Sequence, residues 1–162
     1  MYYDFQKDIL TGEESEKKFA NLLFSKCSQI KNISFNKDKR YDILVELNND
    51  QKITFEVKHD LLTGRTGNIA IETFSRGKPS GINVTLADYF VIHCFTDKEH
   101  FYVFNTAYLK KSVEMNMSNE IYGGDKDMYG NYTTKFVLLR LKDELNIAVD
   151  LNDLQELNFY HA

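Results

Sequence analysis

Arg40-Tyr41-Asp42-Ile43-Leu44-Val45-Glu46-Leu47, a turn at Asn48-Asn49-Asp50, then Ile53-Thr54-Phe55-Glu56-Val57-Lys58-His59-Asp60 decides how the rest of the chain is read. Both arms alternate apolar and polar residues with period two, the mark of half-buried strands in a hairpin. Ile43, Val45 and Leu47 face one way, and Ile53, Phe55 and Val57 do the same on the return, which predicts a core face. The opposite face carries Asp42, Leu44 and Glu46, then Thr54, Glu56, Lys58 and Asp60. An acid on one strand therefore shares a face with an acid-x-lysine on the next. His59 falls on the apolar face and reads as a packed histidine.

Two registers suit this hairpin. With Asn48, Asn49 and Asp50 as a three-residue loop, Ile43 pairs with Phe55, Val45 with Ile53 and Glu46 with Lys52. Asp42 then lies opposite Glu56. Like charges facing across a ladder are destabilising, so a cation belongs between them, and a hard divalent ion takes carboxylate oxygens. With Asn49-Asp50-Gln51 as the loop, Asp42 faces Lys58 in an ordinary cross-strand pair.

The chain has 162 residues, 43% of them hydrophobic, which suits one folded domain over residues 1–162 and excludes disorder. The two cysteines, Cys27 and Cys94, make neither a disulfide framework nor a zinc knuckle, and a reducing, cytoplasmic setting is expected. The N-terminus lacks the apolar segment of a secretory signal. The purest apolar run, Tyr89 to Phe95, is too short to span a membrane. The net charge is −4, but residues 143–162 carry five acids and no Lys or Arg, so the rest of the chain is at +1. Lys58, Arg65, Arg76 and Lys78 follow the hairpin, and Lys37, Lys39 and Arg40 precede it. That distribution permits phosphate binding.

Outside the hairpin, Thr11 three residues before Glu14 predicts a capping box opening a helix. Phe19, Ala20, Leu22 and Leu23 are its buried stripe, with Glu16 on the edge of that stripe. Strands are expected at 33–35, 68–74, 89–95, 101–105 and 135–142. Loops are expected at 63–67, 75–81 and 119–131, and a turn or short helix at 85–88. Thr106 is expected to cap a helix carrying Leu109 and Val113, and a terminal helix is expected over 151–157. The fold class is α/β, a mixed central sheet flanked by helices.

Glu16 in an early helix, Asp42 in a strand and Glu56-Val57-Lys58 in the next resemble the PD-(D/E)XK nuclease superfamily. The stretch from Gly67-Asn68-Ile69-Ala70-Ile71-Glu72 through Ser80-Gly81-Ile82, Thr85 and Ala87-Asp88-Tyr89 looks like small phage or bacterial nucleases and Holliday junction resolvases of that group. The likeness covers roughly residues 11 to 114. Tyr41 stands where many members carry proline. The resemblance implies a restriction-endonuclease-like fold and a Mg²⁺- or Mn²⁺-dependent deoxyribonuclease. Asp42, Glu56 and the Val57 carbonyl would hold the metal, and Glu16 would add a carboxylate. Lys58 would orient the attacking water or stabilise developing charge, and a cation beside it would depress its pKa so that it could also assist proton transfer. Arg65, Arg76, Lys78, Lys39 and Arg40 would grip duplex or branched DNA, with Glu72 in support of the site and a homodimer as the assembly.

Each side chain also has a plainer use. Glu56 and Lys58 make an i, i+2 charge pair on a solvated strand. Asp42 suits a strand edge, Glu16 suits the helix dipole, and Glu72 suits a solvent-facing strand. Tyr122, Tyr129 and Tyr132 can stack on bases or pack on the surface. Two other classes share these residues: a dimeric junction resolvase, and a non-catalytic DNA- or protein-binding module.

Overall fold

The computed structural model describes residues 5–36, 38 and 40–159, with side chains from residue 12 onward. Lys37 and Lys39 lie outside the described residues. The elements run α1 (Phe5–Lys26), β1 (Ile30–Phe35), β2 (Ile43–Leu47), β3 (Lys52–Asp60), α2 (Thr63–Thr66), β4 (Asn68–Ser75) and β5 (Lys78–Pro79). A 3-10 turn at Gly81–Asn83 precedes β6 (Tyr89–Phe95), β7 (Glu99–Asn105) and α3 (Thr106–Met115). After a second 3-10 turn come β8 (Glu120–Lys126), β9 (Tyr132–Arg140), α4 (Leu141–Glu144) and β10 (Ala148–Asp150).

The main sheet has the order β1-β2-β3-β6-β7-β10, and β4, β5, β8 and β9 form a second, antiparallel sheet in the order β5-β4-β9-β8. In the main sheet β3 and β6 are parallel and their neighbours antiparallel, so the sheet is mixed. This is the expected class: α/β, with a mixed central sheet and flanking helices. Parallel pairing demands a long crossover, usually helical. Here residues 61–88 make it with only a four-residue helix, because the chain detours through β4 and β5 of the second sheet.

Two cores follow from the alternation of side chains. On one face of the main sheet, Phe19 and Leu23 of α1 pack on Ile43, Val45, Ile53, Phe55 and Val57. The Phe19 and Phe55 rings meet edge to face at 5.2 Å. On the other face, Phe90, Ile92 and Phe104 pack with Ile69, Ile71, Val137 and Leu139 of the second sheet and with Leu109 and Val113 of α3. β6 is covered on both faces, which is why it reads as an unbroken apolar run. Among the described residues no helix is long and apolar enough to cross a membrane.

The hairpin takes the three-residue loop. Ile43 pairs with Phe55 and Glu46 with Lys52. The Leu47 N–H donates to the Gln51 carbonyl at 2.9 Å. Asp50 closes the loop at φ 66°, the left-handed third position such loops require.

Several local expectations need correction. α1 begins at Phe5, so Thr11 is interior to the helix and opens nothing; a helix already nucleated propagates through one glycine. A short helix, α2, replaces the loop at 63–67 because Asp60 Oδ1 accepts the Leu62 and Thr63 N–H groups and starts the turn. The 75–81 loop is a tight β4–β5 hairpin. Residues 85–88 take no helix; the 3-10 turn lies just before them. Asn105, not Thr106, caps α3, accepting from the Ala107 and Tyr108 N–H groups. The Gly-rich stretch expected as loop contains β8, with a ladder irregularity between Gly123 and Lys126 absorbing its glycines. The strand expected at 135–142 runs Tyr132–Arg140 and gives way to α4. Residues 151–157 are turns, not a helix: Leu151 fills the core, and the Leu157 N–H is drawn to the Lys26 carbonyl at 2.8 Å.

A Cβ on Gly64 would stand 1.8 Å from the Phe95 carbonyl oxygen, a rigid backbone atom. Gly64→Ala should lower stability in a denaturant melt by about 3 kcal/mol, as overpacked sites do. His100, with Nδ1 2.6 Å from Asp150 and Nε2 2.8 Å from Asp97, ties β10 to β7. Burial lowers its pKa, but hydrogen bonds to Asp97 and Asp150 outweigh this and raise it above the ordinary value. A raised folded-state pKa gives stability that is complete below pH about 6.5 and lost as pH rises through the folded value. Wild type should exceed His100→Gln by about 1–2 kcal/mol in acid, and the gap should narrow in alkali.

Candidate active site

Asp42 stands immediately before β2, where that strand stops covering the edge of β3. Its N–H still donates to the Phe55 carbonyl at 2.9 Å. One residue pair further along, its carboxylate replaces the missing strand: Oδ2 accepts the Val57 N–H at 2.8 Å. In an extended strand the N–H and C=O of one residue point to the same side, so the Val57 carbonyl faces this edge too.

Glu56 and Lys58 project from β3 to the face opposite Val57. The Lys58 Nζ lies 2.6 Å from Glu56 Oε1. The Glu56 side chain is only 10% exposed, against 45% for Lys58, so this is not a freely solvated charge pair. Thr85 Oγ1 is 3.3 Å from Glu56 Oε2 and also 3.3 Å from the Arg40 carbonyl. One threonine thus joins the acid to the segment that delivers Asp42. Opposite charge at 2.6 Å makes the pair a short, charge-assisted bond.

The electrostatics place Glu16 in the same field. Burial pushes its carboxyl up to about 7, with Asp42, Glu13 and Glu56 pushing the same way and Lys58 opposing. Asp42 is also raised, by burial and then by Glu56, while the Val57 N–H and Lys58 pull it down. Burial works against the Lys58 ammonium, but Glu56, Asp42 and Glu72 outweigh it, and its pKa ends above the ordinary value. Glu72 on β4 is therefore within electrostatic reach of Lys58. Asp42 and Glu16, both raised by burial and by neighbouring carboxylates around one ammonium, mark a site short of positive charge.

A hard divalent cation suits the chemistry of this donor set: two carboxylates and a backbone carbonyl on one strand edge. Among the described residues, however, no three His, Cys, Asp or Glu side chains are grouped as a metal cluster. The fit is thus a two-carboxylate site, with Glu16 acting from further off.

The basic residues are not all drawn in. The Arg40 backbone adjoins the site through Thr85, but its guanidinium is held by Asp38 at 2.6 Å. Arg65 lies in α2 directly after β3, exposed. Lys78 is exposed on β5. Arg76 lines a separate groove, which contains none of Asp42, Glu56 and Lys58.

One buried chain of contacts is not legible from spacing. Ser15 Oγ is 2.7 Å from His93 Nδ1, and His93 Nε2 is 2.7 Å from Glu99, which Lys18 approaches at 3.3 Å. Hydroxyl, imidazole and carboxylate are in the order of a nucleophilic triad, but Ser15 is 1% exposed and meets no substrate. The chain of contacts instead fastens α1 to β6 and β7 and so holds Glu16, the next residue, over the sheet. The other unforeseen member is Thr85; a polar residue alone in a loop gives no sign of its partner.

No family model, curated protein or solved structure matches the chain. The functional reading therefore rests on these side chains and on their likeness to the nuclease motif.

Proposed function

We propose that the chain is a metal-dependent endonuclease of PD-(D/E)XK type that hydrolyses phosphodiester bonds in DNA. The observation that supports this is the Asp42 carboxylate fixed on the Val57 N–H at an uncovered strand edge, within electrostatic reach of Glu56, whose carboxylate lies 2.6 Å from the Lys58 ammonium. Asp42, Glu56 and the Val57 carbonyl would hold Mg²⁺ or Mn²⁺, with Glu16 as a more distant carboxylate. Such an ion, when bound, neutralises phosphate charge and activates water.

The chain's own residues do the rest. The Val57 N–H fixes the Asp42 carboxylate by one oxygen, leaving the other free to act. Lys58, its ammonium 2.6 Å from Glu56, would serve as a hydrogen-bond donor to developing negative charge. Glu16, whose carboxyl burial and neighbouring acids hold above the ordinary range, would regain its charge beside a bound cation and add a carboxylate to the site. Arg65, Lys78 and Arg76 are exposed cations for backbone phosphates.

One observation favours a second reading. The absence of a three-ligand cluster among the described residues suits a non-catalytic DNA-binding module on the same scaffold. Incubation of supercoiled plasmid, linear duplex and a synthetic four-way junction with Mg²⁺ or EDTA separates these. Mg²⁺-dependent cutting supports the nuclease, and no cutting of any substrate supports the module. Selective cutting of the junction by a species of dimeric mass would make the enzyme a resolvase.

A further inference from the structure

Away from Asp42 and Glu56, the outer face of the second sheet carries a groove of about 770 Å³. Phe74, Arg76, Tyr122, Lys126, Tyr132 and Lys135 line it. Cations and rings interleave there. The Lys126 ammonium is 4.8 Å from the Tyr132 ring centre, and that of Lys135 is 5.3 Å from Tyr122 and 5.6 Å from Phe74. Tyr122 and Tyr132 are 57% and 50% exposed. Exposed rings beside flexible cationic side chains are the chemistry of base stacking and phosphate contact.

The acids in and beside the groove all have partners. Asp127 accepts the Tyr129 and Asn131 N–H groups at 2.9 Å, which holds its carboxyl below the ordinary range. Asp125 faces Arg76 at 3.5 Å, and Glu120 faces Lys135 at 3.6 Å. The Asp125–Arg76 pair is well exposed, and such pairs exchange partners at little cost. Arg76 is itself unusual. It occupies a two-residue hairpin with φ 52°, followed by Gly77 at 74°. Turns of this hand favour Asn or Asp at the first position, so arginine is there against backbone preference.

β4 connects this groove to the other site. Glu72, whose charge reaches Lys58, is two residues before Phe74, about 7 Å along the strand. A duplex keeps its bases stacked on one another and cannot offer them to these rings.

We propose that the groove binds unpaired nucleotides of single-stranded DNA, stacking bases on Tyr122 and Tyr132 and placing phosphates on Arg76 and Lys126. The binding stands on the groove alone. The corollary, that the substrate cut at Asp42 and Glu56 carries a single-stranded segment, rests on the nuclease reading.

The test is fluorescence anisotropy in EDTA, with a labelled oligothymidylate and a duplex of equal length. The protein should prefer the single strand. Tyr122→Ala and Tyr132→Ala should each weaken it by about 5- to 100-fold, with melting curves unchanged because both rings are half exposed. Tyr132→Phe should restore binding. Tyr108→Ala, an exposed ring on α3 outside the groove, should have no effect. With two or three phosphates contacted, log affinity should fall against log salt with a slope of about −1.4 to −2.1. Duplex preference, no binding, or indifference to both tyrosines would overturn the proposal. Should single-strand binding depend on the tyrosines while no DNA is ever cut, the nuclease reading fails and the groove stands. Should DNA be cut while binding ignores the tyrosines, the groove fails and the nuclease reading stands.

Discussion

Glu56→Gln should reduce Mg²⁺-dependent plasmid cleavage by about 10²- to 10³-fold or more, the scale on which single electrostatic groups act in active sites. DNA affinity should hold, since it rests mainly on Lys and Arg contacts with phosphates. The substitution is close to isosteric, so the effect is one of charge. The amide can still accept from Thr85 through its oxygen, but the strand edge keeps only the charge of Asp42. Lys58 loses its partner without being stranded, because its side chain is 45% exposed and can be solvated. The carboxylate is buried, so the cost to folding should be that of one charge-assisted hydrogen bond, about 1.5–3 kcal/mol. Asp42→Asn should behave alike. A large drop in melting temperature in either variant would mean that the acids hold the hairpin together instead of acting on a substrate.

Lys58→Met should have the second-largest effect. Turnover should fall by about 10²-fold or more, because the donor that meets developing negative charge is gone. Metal affinity should persist or rise, since the residue removed is the cation that competes for Glu56. This opposite response of metal binding separates Lys58 from the two acids. Plasmid cleavage paired with a Mn²⁺ titration reads both quantities in the same variant. Unchanged turnover would return Lys58 to a structural partner of Glu56.

The hairpin is legible in the sequence because alternation is a local signal. Ile43, Val45, Ile53 and Phe55 are all buried, and the polar face is where period two puts it. The register is not legible, since both loops satisfy the pattern; Asp50 in a left-handed conformation and the Leu47–Gln51 bond decide it. Helix ends are harder to read. Thr11 carries the signature of a cap, yet α1 starts at Phe5. Residues 151–157 have helical spacing of leucines, but Leu151, Leu154 and Leu157 meet the core from an irregular chain. Their side chains do turn inward, and only the backbone differs. In the second sheet β4 and β9 are legible, but β8 is hidden because Gly123 and Gly124 suggest turns, while the strand absorbs them at an irregular point in its ladder.

The candidate site follows the same division. Asp42, Glu56 and Lys58 share one side by strand periodicity alone. Their long-range companions cannot be read that way. Glu16 is brought to the field by a buried Ser15–His93–Glu99 chain that spans three elements. Thr85 reaches Glu56 from a loop on the far side of the crossover. The basic residues show the limit of counting charges: Arg40 is bound up with Asp38, and Arg76 belongs to the aromatic groove.

The central claim is that Asp42 and Glu56 together capture a divalent ion beside Lys58. Titration of the metal-free protein with Mn²⁺, followed by electron paramagnetic resonance, measures that directly. The wild type should bind the ion saturably, Asp42→Asn and Glu56→Gln should each abolish the bound signal, and Lys58→Met should keep it. A wild-type protein that leaves all of the Mn²⁺ in solution, or acid variants that bind it as well as the wild type, would contradict the account.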